Sequence, residues 1–279
     1  MLSIEPFDCH WQRFEAICRH IHEQLVGMPS LRKVTSQKRG QFAMDLACIA
    51  LSLRTGCLID CISTPDPTHV FANLITGLRV AKFGSIVHVY EPTSEQSFFV
   101  NISMLFDKRT PYNKTAYVHL GPDPSSFSLV RRLRSLQAAG PPPDLIFALD
   151  SLKEVLAAQT TLPCSITIKP GLPAESAIPL AAILLEYPVA YIPTTLDSPF
   201  LSNVTLDVYE CVLSIGETVH TLLKFSCPSE LGQQNSDMLG KSHLIKFLTD
   251  TYLPRIRAMT LIATFQVLHT NQNLDRIAL

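Results

Sequence analysis

Short apolar runs alternate along this chain with segments whose apolar residues recur every three or four positions. The runs at 57–63, 115–120 and 188–192 have the length and composition of buried strands, and helical patterns separate them. Such a chain buries the apolar faces of both kinds of element by laying helices against a sheet. The alternation therefore predicts an α/β fold, a single domain with a mixed β-sheet flanked by helices.

Individual elements are assigned from the same patterns. Helices are predicted at 7–28, 41–56, 70–78 and 125–139, from 177 to the strand at 188, and in a long C-terminal segment from about 236 that is kinked or divided at Pro254. Single strands are predicted at 57–63, 115–120, 145–150, 165–169 and 188–192. Two β-hairpins are predicted, one pairing 85–91 with 97–106 and one pairing 204–213 with 218–226.

Composition and charge exclude two classes of partner. The chain has 279 residues, of which 47% are hydrophobic, so a substantial core is expected. Only 17% are charged and the formal net charge is −1, which leaves no overall field to attract nucleic acid or an anionic membrane surface. The stretch nearest to a membrane span, 177–193, is interrupted by Glu186, Pro179 and Pro188. We therefore expect no nucleic acid partner and no membrane span.

The cysteines and the N-terminus bear on the cellular compartment. The 8 cysteines could form a disulfide framework in a secreted protein. The N-terminal sequence MLSIEPFDCHW, however, lacks the basic start and the continuous apolar core of a signal peptide. We therefore expect a cytoplasmic or nuclear protein, not a secreted one, with all its thiols free.

The tripeptide Pro-Asp-Pro occurs twice, each time after an apolar run and before a helical pattern. Asp66 and Asp123 stand at the N-cap, where an oxygen acceptor is favoured, and Pro67 and Pro124 occupy the first helical position. Helix capping alone explains the motif. Both positions also follow a strand directly, and in an open α/β sheet ligands bind beyond the carboxyl ends of strands. A ligand-binding role thus stays open beside the capping role.

Three further residues extend this pattern. Asp60 lies among apolar neighbours in the first strand, and Asp150 and Lys169 each end a predicted strand. If these strands are parallel neighbours, their ends share one rim of the sheet. We predict a binding site able to hold a divalent cation or a phosphorylated small molecule, formed by Asp60, Asp66, Asp123, Asp150 and Lys169.

Recognised catalytic and cofactor motifs are missing. The sequence contains no GxGxxG, GxxxxGK[ST] or GxSxG motif, and no Cys or His pair at the spacing of a zinc site. Catalytic residues and a cofactor are therefore left unassigned, and no resident metal is predicted.

An amphipathic helix within residues 1–30 is separated from the α/β domain at 41–279 by a basic linker. The apolar face of this helix is rich in large side chains: Phe7, Trp11, Phe14, Ile21 and Leu25. Such a helix could dock into the groove of a partner protein. The alternative is that it packs on its own domain.

The order of segments resembles that of an animal protein family, uncharacterised protein family 0739. The matching segments are an Ala/Leu-rich helix, GCLIDC, LLEYPVAYIP and NVTLDVYECVLS. The resemblance covers roughly 42–213, and its best-matching positions are Asp60, Tyr187, Pro188, Val189 and Tyr191. This family has no established activity, so the resemblance implies no catalytic residues.

Two functions are compatible with these observations. The first is a non-catalytic interaction or scaffold module, for which the aromatic-rich N-terminal helix is the motivation. The alternative is an enzyme that handles a phosphorylated or metal-bound small molecule at the carboxylate-lined rim of the sheet.

Overall fold

The computed structural model describes residues 8–79, 83–107, 115–120, 133–134, 140–193, 200–201, 204–259, 263–274 and 277–278. Its α-helices are α1 (Asp8–Gly27), α2 (Ser36–Ala50), α3 (Pro67–Leu78), α4 (Ile102–Leu105), α5 (Pro143–Ala157), α6 (Ala174–Leu184), α7 (Ser229–Gln234), α8 (Ser236–Leu239) and α9 (Lys241–Ala258). Its strands are β1 (Gly56–Leu58), β2 (Ile86–Glu91), β3 (Gln96–Asn101), β4 (Ala116–Leu120), β5 (Leu133–Arg134), β6 (Ser165–Thr167), β7 (Val189–Pro193), β8 (Phe200–Leu201), β9 (Val204–Ile215), β10 (Thr218–Pro228), β11 (Ala263–Leu274) and β12 (Ile277–Ala278).

The central sheet has the strand order β1-β3-β2-β6. Strand β3 pairs antiparallel with β1 and with β2, whereas β2 pairs parallel with β6. Strands β1, β2 and β6 therefore run in the same direction, and their carboxyl ends lie at the same end of the sheet. Among the described strands, β1 and β6 are the two edges of this sheet.

Side chains of the central sheet alternate between two cores because successive residues of a strand point to opposite faces. Val87, Val89 and Phe98 belong to a core that they share with α5 and α6. Ile86 and Phe99 belong to a second core, shared with α1, α2 and α3. Helices thus cover both faces of a mixed sheet, and the predicted α/β class is confirmed.

The other strands form smaller sheets. An antiparallel sheet of order β10-β9-β11 packs against α9, whose buried residues recur every four positions: Leu244, Leu248, Tyr252 and Ile256. Another sheet of order β5-β4-β7 contains the parallel pair of β4 and β7, and β8 pairs with β12. Both predicted hairpins are confirmed as pairings, because β2 pairs with β3 and β9 pairs with β10. The strand predicted at 97–106 ends at Asn101, however, and residues 102–105 form α4.

The predicted strand at 145–150 is wrong, because these residues lie in α5. Pro143 occupies the first helical position, where its missing N–H costs nothing. The buried residues of α5 recur at helical spacing: Leu145, Ala148 and Leu152. A short apolar run fits a strand and a buried helix equally well. The spacing of the apolar residues beyond the run distinguishes the two. Asp150 is therefore in the middle of a helix.

The predicted C-terminal helix is right only in part. Helix α9 continues through Pro254, but residues 263–274 form strand β11. Half-buried Phe265 and Val267 alternate there with exposed Thr264 and Gln266, which is the period of a strand.

A second helical prediction, at 125–139, falls mostly outside the described residues, and Asp123 lies outside them as well. Its described part, 133–134, is strand β5, so the prediction is wrong there. Strand β5 pairs antiparallel with β4, and this pairing accounts for the extended conformation.

Helix α1 packs against α2 and α3 of its own chain. Phe14, Ile21 and Leu25 lie in the same core as the central sheet, and Ile21 and Leu25 are 0% exposed. A partner could reach these three side chains only if α1 left that core, so they do not form a free docking face in this structure. Phe7 and the side chain of Trp11 lie outside what the structure describes.

A buried ion pair fastens α9 to the core. Arg255 donates from Nη2 to Glu186 Oε1 (2.8 Å) and from Nη1 to Glu186 Oε2 (2.9 Å). The backbone N–H of Thr55 donates to the same Oε2 (3.0 Å). Glu186 follows the end of α6 with a φ of 60°, a left-handed conformation that aims its side chain into this site.

Within the described ranges, no helix is both long and apolar enough to cross a membrane. The cysteines whose side chains are described there are free thiols: Cys18, Cys48, Cys57, Cys61, Cys164, Cys211 and Cys227.

Candidate functional site

The predicted rim residues are spread over the end of the central sheet. Asp60 follows β1 and Lys169 follows β6, so the two lie on opposite edges of the sheet. Three strand spacings separate these edges, a distance of about 14 Å. Asp60 is exposed to solvent, so its carboxylate needs no buried partner.

Asp66 caps α3 as predicted. Its Oδ1 accepts hydrogen bonds from the backbone N–H of His69 (3.0 Å) and from Thr68 Oγ1 (2.9 Å). The His69 hydrogen bond, followed by that of Thr68, lowers the pKa of the Asp66 carboxyl. Capping accounts for both the position and the chemistry of this residue.

Asp150 does not join a rim either. It is exposed on α5 and pairs with Lys153 one turn later, at 2.9 Å from Oδ1 to Nζ. Asp60, Asp66, Asp150 and Lys169 thus do not converge. Among the residues that the structure describes, no three His, Cys, Asp or Glu side chains are grouped closely enough to hold a metal ion.

Lys169 instead borders a groove of about 280 Å³ between α5 and β6. Its walls come from one face of α5 and from the end of β6 and the loop that follows: Asp144, Phe147, Leu152, Val155, Ile166 and Ile168. These α5 residues are successively three, five and three positions apart and cover three helical turns. Since a helix rises about 1.5 Å per residue, the groove is about 16 Å long.

The α5 wall exposes large apolar side chains. Phe147 is 61% exposed and Val155 is 36% exposed. Ile146, 46% exposed, is the neighbour of Phe147 but does not line the groove. The Lys169 Nζ lies over the Phe147 ring, 5.8 Å from its centroid.

The other wall is the free edge of β6. Cys164 O accepts from His88 N (2.9 Å) and Ile168 N donates to Tyr90 O (2.8 Å), so the even-numbered residues bond to β2. Backbone groups alternate in direction along a strand, and those of Thr167 therefore point away from β2. Among the described residues, nothing pairs with the N–H or C=O of Thr167, whose side chain is exposed.

The loop that carries Lys169 is held by the neighbouring hairpin. Gly171 has a φ of 90°, which favours glycine, and its N–H donates to Thr93 Oγ1 (3.0 Å). Thr93 belongs to the β2–β3 turn. The end of the groove is therefore built on the central sheet.

The sequence predicted Lys169 but missed the rest of this groove. The apolar run 145–150 predicts a strand, and a strand there leaves no helical face on which Phe147 and Val155 would lie together. The available signal was Pro143, a residue typical of the first helical position, followed by apolar residues at helical spacing. Comparison of the chain with protein families, with curated proteins and with solved structures found no match.

Proposed function

We propose that this chain is a non-catalytic interaction module that binds an extended segment of a partner protein along the free edge of β6. One observation carries the proposal: the edge of β6, with which no described strand pairs, lies beside an apolar groove on the surface. Backbone groups on such an edge bind a partner strand, and neighbouring pockets select its side chains.

The length of the groove fits an extended segment. A strand rises about 3.3 Å per residue, so a groove about 16 Å long matches about five residues of an extended chain. Phe147 and Val155 would then cover the apolar side chains of that segment.

The charges of the groove favour an acidic residue in the partner. Asp144 lies in the first turn of α5, where the helix dipole stabilises a carboxylate. Lys169 has only the ring of Phe147 as a partner among the described residues, and no ion pair. An acidic side chain of the partner near Lys169 would form an ion pair with it.

The enzyme alternative has weaker support. Asp60 and Asp66 lie outside the groove, and Asp66 is accounted for by capping. Membership of uncharacterised protein family 0739 is a separate proposal that rests on the segments within 42–213 and adds no activity.

The test is selection of phage-displayed random heptapeptides on the immobilised full chain. We expect the wild type and Ile146→Ser to enrich the same sequences, and Phe147→Ser and Thr167→Pro to lose them. The two serine substitutions are matched, because both side chains are exposed on α5 and only one lines the groove. Proline at 167 removes an edge donor without breaking the ladder to β2. Equal enrichment on all four proteins, or on none, contradicts the proposal.

Lys169 provides a second comparison. Lysine at a strand edge also protects against self-association. Binding to an acidic residue predicts that Lys169→Glu weakens peptide capture while Lys153→Glu, on the outer face of α5, does not. If Lys169 only prevents self-association, Lys169→Glu, which keeps a charge at this edge, should leave both peptide capture and the elution volume in size-exclusion chromatography unchanged.

A further inference from the structure

The side of the β6 edge that faces α3 carries a polarised hydroxyl. Ser165 pairs in register with His88, and Ser165 Oγ lies 2.8 Å from His88 Nδ1. The His88 ring is buried against Phe71 and Phe99, with centroids 5.0 Å and 5.8 Å away. Its Nε2 is buried and has no hydrogen-bond partner among the described residues.

The burial of the His88 ring determines which of its two nitrogens carries the proton. Burial lowers the pKa of His88 to about 3, so the ring is neutral at physiological pH and carries one N–H. A proton on Nε2 would leave a buried donor unsatisfied, which costs more than an unsatisfied ring acceptor. The proton therefore resides on Nδ1 and is donated to Ser165 Oγ.

Ser165 then has its own hydroxyl proton to donate. Its oxygen accepts the His88 N–H with one of its two lone pairs, and no described residue accepts from its hydroxyl. The side chain is only half-buried, at the edge where a fifth strand would pair. A residue of that added strand directly opposite Ser165 would have its Cβ about 5 Å away, within hydrogen-bonding reach of the hydroxyl.

The two faces of an added strand would meet different surroundings. Ile166 and Ile168 point into the core shared with α5, and Ser165 and Thr167 point to the opposite face. On that face α3 presents Thr76, whose Oγ1 lies 3.2 Å from Cys164 Sγ. The α5 side is therefore apolar and the α3 side is polar.

We infer that the partner segment alternates in polarity, with apolar side chains toward α5 and a hydrogen-bond acceptor, such as Asp, Asn or Thr, opposite Ser165. This inference rests on the proposed function and names the class of segment that the same edge selects. His88 acts as a positioning residue, because it fixes the direction of the Ser165 hydroxyl.

The test uses the heptapeptide selection on wild type, Ser165→Ala and Ser242→Ala. In the wild-type selection, one position with apolar preferences on both sides should be enriched in acceptor residues. Ser165→Ala should lose that enrichment and keep the apolar preferences. Ser242→Ala removes an exposed hydroxyl of α9 that does not line the groove, and it should change neither. For the peptide selected most often on the wild type, fluorescence polarisation should show binding about three- to tenfold weaker to Ser165→Ala.

A His88→Phe variant separates positioning from packing. Without the Nδ1–H to fix its direction, the Ser165 hydroxyl can rotate to donate or to accept, so the preference for acceptor residues at the same position should weaken. Selection that depends on Phe147 and Thr167 but is unchanged by Ser165→Ala overturns the inference and leaves the proposed function standing. Selection that depends on none of these residues overturns both.

Discussion

Glu91 shows how one carboxylate supports the loop beside the proposed groove. Its oxygens accept from the backbone N–H groups of Thr93 (2.9 Å) and Ser94 (2.7 Å), which close the β2–β3 turn. Burial disfavours the charged form of this side chain, but the hydrogen bonds from Ser94 and Thr93 outweigh burial and lower the pKa of Glu91 below its ordinary value. Because Thr93 also binds Gly171, the charge of Glu91 helps to hold the segment that carries Lys169.

Glu91→Gln is expected to lower the free energy of unfolding by about 1 to 3 kcal/mol at neutral pH. The pKa of Glu91 is lower in the folded than in the unfolded chain. Its charge therefore stabilises the fold above the unfolded pKa of about 4.3, and this contribution is lost as the pH falls through the folded pKa. Urea unfolding at neutral pH and in acid checks this, since the difference between wild type and variant should shrink in acid. Glu95→Gln, exposed in the same turn, is the control, and a difference that persists in acid contradicts the prediction.

Single residues were predictable from the sequence where their chemistry is local. The role of Asp66 depends on the next three residues, so a tripeptide pattern was sufficient to predict the cap. The surroundings of Lys169 depend on Phe147, which is distant in sequence. Phe147 belongs to a helix, but the apolar run 145–150 predicts a strand there. The hydrogen bonding of Ser165 depends on His88 in the neighbouring strand β2, and no sequence pattern records that pairing.

At the scale of the elements, the side chain of Arg255 links α9 to the core through hydrogen bonds. Arg255 has two hydrogen bonds to Glu186 and a third, from Nη1, to Leu53 O (3.1 Å). The Glu186 side chain is 2% exposed, so it depends on this cation for charge compensation. The helix tolerates Pro254 in its interior, and contacts of this kind offset the lost backbone hydrogen bond.

Arg255→Met is expected to lower the free energy of unfolding by about 3 kcal/mol, because it leaves a buried carboxylate without its cation. Arg257→Met removes an exposed charge from the same helical turn and should change stability by less than about 0.5 kcal/mol. Equilibrium unfolding in urea measures both. Equal effects of the two substitutions would show that the ion pair contributes nothing beyond surface charge.

Elements with strong local periodicity were predicted, and those defined by pairing were not. The β2–β3 and β9–β10 hairpins have apolar strands joined by short polar turns, which are visible in sequence. Strand β11 follows a helical segment and contains the polar run Thr270–Asn273. Its extended conformation comes from a ladder to β9 that only the folded chain supplies.

At the scale of the whole molecule, α1 belongs to the core that it covers. Leu25→Ala is therefore expected to lower the free energy of unfolding by about 2 to 5 kcal/mol, as other buried leucines do when truncated. Val26→Ala is the matched control, because Val26 is 50% exposed on the same helix. Chemical denaturation of both variants measures the difference. If α1 were an appendage held ready for a partner, Leu25→Ala would leave stability unchanged.

The clamp between Glu186 and Arg255 also has a consequence for biosynthesis. The ribosome adds Arg255 after Glu186, and 69 residues separate them. At a translation rate of about 5 to 20 residues per second, the nascent chain carries Glu186 for about 3 to 14 seconds before the codon for its cation is read. During that interval Glu186 lacks its cation, and burying its charged carboxylate costs free energy. The layer around α6 therefore gains the stabilisation of this ion pair only after α9 has left the exit tunnel.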